Sequence, residues 1–222
     1  MTPLSTPLCH GSGYSSKCCC SKARVDLANN AQASLFLSIH FNGDEKTSIS
    51  GTTVYYDAAR QFSAQNQHFA SLIDQDAVAA LYQLGYIPLN CGVQTDSSAV
   101  GQGSPFYVLG PDAARPIQMP GALAEGFFLN SPRDAQQLRD PKTLDALAHA
   151  YAQAVTEYFS QSYLDRLAPF VYGDGSGTIA ASGRRPASFA RSPPLATVIC
   201  PAFAQGTFCF HCWSTARCAR TT

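Results

Sequence analysis

The chain has 222 residues, 45% of them hydrophobic and 11% aromatic, and its fifteen basic and fifteen acidic side chains cancel. That length can hold one medium domain with tails or two small ones, and the apolar fraction is enough for a sizeable core. A balanced total says nothing of polyanionic partners, and the lack of any apolar run of about 18 residues excludes a membrane-spanning helix.

The charges are not evenly spread. All fifteen acids lie between Asp26 and Asp174; the window from Arg24 to Asp174 holds only eight basic residues, so the flanks outside it carry seven basic residues and no acid. Eight of the nine cysteines also sit in the flanks, and Cys91 alone lies in the middle. An odd count with three consecutive cysteines is a poor disulfide framework. Cys209 and Cys212, with His211 between them, make one short CxxC with no second pair at zinc-ribbon spacing. The basic flanks lack interleaved aromatics and any recognised module, so no nucleic-acid partner is expected.

Residues 1–23 read as an irregular tail rich in Ser, Cys and Gly. They have no basic leader followed by an apolar stretch, so no signal peptide is visible. From Arg24 the pattern becomes orderly. "RVDLANNAQA" predicts a short helix, and "LFLSIH" (35–40) a buried strand ending on His40. "GTTVYYD" (51–57) is β-branched and aromatic, a second strand. Phe69, Leu72, Ile73, Ala80, Leu81 and Leu84 fall at helical spacing, and Gly85 stops that helix. "FYVLG" (106–110) and "GALAEGFFL" (121–129) predict two more strands. Ser131-Pro132 and Asp140-Pro141 each offer an N-cap with proline at the first helical position. Behind the second, Leu144, Leu147, Ala148, Tyr151, Val155, Tyr158 and Phe159 form one apolar stripe. The alternation predicts an α/β layer fold over 24–160, with 161–222 a low-order tail rich in Arg, Cys, Pro and Ser.

Two residues stand out chemically. His40 sits where a strand yields to a loop, the usual ligand position of an α/β sheet. On its own it reads more readily as an imidazole capping the core edge by bonding a backbone carbonyl. Glu125 is the only charged residue between Met119 and Asn130. A carboxylate in an apolar strand costs several kcal/mol unless it is paired, protonated or at the rim. Its alternatives are a strand-end glutamate leaning into solvent, or a general base of raised pKa. Gly126 behind it would admit a close approach by substrate or another chain. His68, His149 and the Asp74/Asp76 pair read as exposed helix positions. No nucleophile elbow, P-loop or dinucleotide fingerprint occurs.

Taken together, "RVDLANNAQASLFLSIHFNG", "SGTTVYY", "CGVQTDSSAVGQGSPFYVLG", "MPGALAEGFFLNSPRDAQQL" and "LAHAYAQAVTEYF" resemble, in order, the motifs of the zinc-dependent N-acetylmuramoyl-L-alanine amidases, bacterial cell-wall hydrolases. The resemblance implies a twisted mixed or parallel sheet flanked by helices, a zinc cofactor, peptidoglycan as substrate and a cell-envelope location. It makes His40 a zinc ligand and Glu125 the general base that activates a metal-bound water. The family's opening strand, its "GHGG"-type turn and its ligand glutamate have no counterpart before Arg24. "CHGSG" around His10 mimics the turn without the strand. The sequence thus predicts a domain lacking its first strand and helix, an exposed apolar sheet edge and impaired catalysis. Its alternative is a metal-free remnant that binds wall glycan or peptide. Cys91 stands where the family often has an arginine.

Overall fold

The computed structural model describes residues 16–99, 106–110, 116–171 and 197–201. His10, Cys209, His211 and Cys212 lie outside the described residues.

Five strands form one mixed sheet: β1 (Leu35–Asn42), β2 (Thr52–Tyr56), β3 (Asn90–Thr95), β4 (Gly121–Phe128) and β5 (Thr197–Pro201), in the order β3-β2-β4-β1-β5. β4 runs parallel to β1 and antiparallel to β2, while β1/β5 and β2/β3 are parallel pairs. β4 is buried at all eight positions. It has a strand on either side and cover on both faces, which is why it reads as a nearly continuous apolar run.

Two helices cover one face. α2 (Ser63–Gln83) supplies Phe69, Ala70, Ile73, Ala77 and Leu81, and α5 (Pro141–Val171) supplies Leu147, Tyr151, Ala154 and Tyr158, against Leu35, Leu37, Val54, Ala122 and Ala124 of the sheet. The predicted stripes supply these buried rows, although Leu84, Leu144 and Ala148 are exposed and Leu72, Ala80, Val155 and Phe159 are only partly buried. α2 ends in a Schellman arrangement: the Tyr86 N–H bonds the Leu81 carbonyl, the Gly85 N–H bonds that of Tyr82, and Gly85 takes φ +76°. On the other face, α1 (Ser16–Asn30) sets Val25 and Ala28 against Phe36, Tyr55 and Leu123, with Phe106, Leu109 and Ile117 completing a second core.

Four expectations change. α1 begins at Ser16, so residues 16–23, which read as irregular, are helical, and a Lys22–Asp26 ion pair at i,i+4 spacing supports that turn. "FYVLG" is a turn, not a strand: the Leu109 and Gly110 N–H groups both bond the Phe106 carbonyl. Its aromatic and β-branched content reflects burial, with Phe106 edge-on to Tyr55 at 5.3 Å. The outer edge of β1 is not bare, because Thr197–Pro201 pairs along Leu35–Ile39 and satisfies its backbone groups. Within the stretch expected to be a low-order tail, α5 continues to Val171 and β5 forms.

α4 (Pro132–Gln137) starts at the predicted Ser131-Pro132 signal, although Ser131 makes no side-chain cap bond. Its Asp134 is fully buried and binds the rest together, accepting from the Gly51 N–H at 2.8 Å, the Phe128 N–H at 2.9 Å and the Tyr86 hydroxyl.

Candidate active site

β1 and β4 bring His40 and Glu125 to paired register positions, near the carboxyl end of β1. Side chains alternate along a strand. Phe36 and Leu123 face the α1 side, so Ser38, His40 and Glu125 share that face. Thr53 of β2 is the antiparallel partner of Glu125, which extends the row to Thr53, Glu125 and His40. Just beyond the pair the register slips, so that Asn42 meets Phe128. The extra β4 residue is a bulge, a device that re-aims side chains beside functional sites.

Glu125 is 3% exposed, and its Oε2 has no hydrogen-bond partner among the described residues. Burial pushes its carboxyl up to about 8, so the group holds or yields a proton near neutrality. The solvent-leaning alternative is thereby set aside. On the far side of the strand, a β-carbon at Gly126 would lie 3.2 Å from the Tyr151 hydroxyl and 3.5 Å from Phe41. The close approach that this glycine permits is therefore to α5 and β1. Burial, and then the Glu125 charge, raise the Tyr151 phenol as well, which places the two groups within electrostatic reach.

His40 is half-buried. Its Nε2 lies 2.9 Å from the Ser38 hydroxyl and 3.2 Å from Nη1 of Arg24 on α1. A guanidinium only donates, so Nε2 is the acceptor and the proton sits on Nδ1. Burial first, and the Arg24 charge second, lower the His40 pKa to about 4, leaving a neutral imidazole at physiological pH. Two residues on, Asn42 is buried, with its Nδ2 donor unpartnered among the described residues.

The period-2 rule makes Ser38 readable as a neighbour of His40. The direct Arg24 contact carries no such signal, because it joins a helix to a strand sixteen residues away. The other candidates fall elsewhere. His149 is exposed, as expected. His68 is instead partly covered, its ring tilted against Tyr158 at 5.9 Å. Asp74 and Asp76 are partly buried, accepting from Asn90 and Gln153. Cys91 is disulfide-bonded.

The sequence profile described as N-acetylmuramoyl-L-alanine amidase matches residues 11–157. The chain belongs to the N-acetylmuramoyl-L-alanine amidase family. Among its relatives, N-acetylmuramoyl-L-alanine amidase LytC of Bacillus subtilis is 31% identical over 136 residues, 61% of this chain and 24% of that protein. The germination-specific N-acetylmuramoyl-L-alanine amidase of the same organism is 25% identical over 140 residues, 63% of this chain and 51% of that one. The chain thus spans about a quarter to a half of the length of these two relatives. The solved amidase AmiC2 of Nostoc punctiforme superposes with a TM-score of 0.50 at 22% identity, covering 63% of this chain and 65% of that one, a likeness of fold.

Catalytic zinc sites usually take three protein ligands. Among the described residues no group of three His, Cys, Asp or Glu side chains converges. The described residues therefore do not complete a zinc site of that kind, and no chemical step is routed through the metal below.

Proposed function

We propose that the chain is a peptidoglycan amidase, acting in the cell envelope on the amide that joins the lactyl group of N-acetylmuramic acid to L-alanine of the stem peptide. The observation that carries the reading is the register pairing of His40 with a buried Glu125 whose Oε2 is unpartnered. In a family member, a carboxyl poised near neutrality on the row of a neutral imidazole suits proton transfer. Glu125 accepts a proton from the attacking water and returns it to the departing L-alanine nitrogen. Thr53 and His40 flank it, and the apolar cover of β4 keeps the site dry, which strengthens both transfers. Asn42 Nδ2 offers an amide donor to substrate. Zinc is the cofactor that the resemblance implies, and His40 would offer it Nε2.

The test is release of free L-alanine amino termini from purified peptidoglycan by the full chain with zinc supplied. The reading predicts release that is lost in E125Q.

A second reading is a metal-free relative that binds wall glycan or peptide without cutting; the lack of a three-donor cluster among the described residues favours it. It predicts sedimentation with cell walls, equal for wild type and E125Q, and no new amino termini.

A further inference from the structure

Arg24 is a permanent cation without a counter-ion. The ion pair among the described residues joins Lys22 to Asp26, and the Arg24 side chain has a single polar contact, from Nη1 to the His40 Nε2 at 3.2 Å. A guanidinium presents several N–H donors in a planar fork. Nη1 points at His40, and no other described group accepts from the fork. The side chain is partly buried, so its charge is screened less than on an open surface.

Asn42 adds a second unanswered donor. Ile39 and Phe41 pack on the α2/α5 core, so Ser38, His40 and Asn42 alternate onto the α1 face, with Asn42 two residues beyond His40. Asn42 is 2% exposed, and its Oδ1 accepts from the Gly43 N–H at 2.8 Å, which fixes the amide. Its Nδ2 has no partner among the described residues. A buried N–H without an acceptor costs about 1–3 kcal/mol, and a ligand oxygen would answer it. The lining around His40 thus combines fixed positive charge with spare donors, the complement of an anion. A planar fork matches a carboxylate, which accepts two parallel N–H bonds.

We infer that Arg24 and Asn42 form a carboxylate cradle beside His40, and that its ligand is the lactyl carboxylate that amide cleavage leaves on N-acetylmuramic acid. The choice of that carboxylate rests on the amidase reading, whereas the cradle rests on the unanswered donors. In the cleavage the bond from the lactyl carbonyl carbon to nitrogen breaks. The water oxygen stays on that carbon, and both water protons leave with the L-alanine nitrogen as an ammonium group. The muramic acid product therefore carries a negative charge that the amide lacks. Arg24 tells the two apart, and the cradle holds the acid more tightly than any neutral form of the same sugar.

Equilibrium binding of N-acetylmuramic acid to the full chain tests this. Two controls accompany it: its methyl ester, which lacks the charge, and N-acetylglucosamine, which lacks the lactyl group. Wild type is expected to bind the acid about tenfold or more tightly than either control, with a preference that shrinks as salt is raised. R24Q is expected to abolish the preference, and R24K, which keeps the charge without the fork, to retain part of it. N42S, which removes the amide donor, is expected to weaken binding of the acid about fivefold. Equal binding of acid and ester by wild type, or binding of the acid that R24Q or N42S leaves unchanged, would overturn the inference. The wild-type comparison of acid with ester decides the matter even if a variant fails to fold. Amide cleavage is measured separately. If the acid binds through Arg24 while no amino termini are released, the amidase reading falls and the cradle survives. If cleavage is found without Arg24-dependent binding of the acid, the cradle falls and the amidase reading survives.

Discussion

His40 of β1 and Glu125 of β4 occupy one register pair of two parallel strands, on the face covered by α1. One is a neutral imidazole whose lone pair is held by a guanidinium, and the other is a buried carboxyl with an unpartnered oxygen. Neither arrangement is what packing alone would select. A leucine or methionine at position 125 would suit so buried a strand better.

That mismatch gives the first prediction. Glu125→Met removes a buried polar group and fills the same space, so the unfolding free energy from chemical denaturation should rise by about 1–2 kcal/mol while amide cleavage is lost. Loss of stability in this variant would mean that the carboxyl has a structural partner.

The corner beneath α4 should behave in the opposite way. Asp134→Ala strands two backbone N–H groups and the Tyr86 hydroxyl in a fully buried place. A cost of about 3–5 kcal/mol is expected, read from urea unfolding. A cost under about 1 kcal/mol would show that water replaces the carboxylate there.

Gly51 donates its N–H into that corner at φ +115°, and a β-carbon on it would meet the Leu89 carbonyl oxygen at 1.7 Å. Gly51→Ala should therefore destabilise by about 3 kcal/mol or more, because neither the backbone angle nor the space admits a side chain. Gly85→Ala, also at positive φ but with open space around it, should cost about 1 kcal/mol in the same assay.

The pH dependence comes from Asp96 at the end of β3. Burial, and then the Asp57 charge, raise its carboxyl to about 6 from an ordinary value of 3.8. A raised folded pKa means that the folded chain binds the proton more tightly than the unfolded one. This contribution to stability is complete below about pH 3.8 and is lost as pH rises through about 6. Asp57→Asn removes the neighbouring charge, so it should raise the melting temperature at pH 7 and change it little at pH 4. An equal effect at both pH values would contradict the coupling of the two acids.

Much of this was legible from residue order. The apolar run "LFLSIH", the apolar run around Glu125 and the stripes of α2 and α5 mark what is buried. Burial in turn made one lone carboxylate conspicuous. "FYVLG" misled because aromatic and β-branched residues favour any buried surface, a turn included. The pairing of β5 with β1 was not legible, since strand partnership at long range depends on backbone groups that every residue shares. The Arg24–His40 contact was hidden for a related reason: it depends on how α1 lies across the sheet, and no local spacing encodes that crossing.

The most direct test of the central claim, that His40 and Glu125 form the reactive pair of a peptidoglycan amidase, is the rate at which free L-alanine amino termini form on purified peptidoglycan. It is measured with excess zinc for wild type, E125Q and H40Q. The account predicts measurable release by wild type and a fall of about a hundredfold or more in each variant. No release by wild type, or variants that match it, would contradict the account.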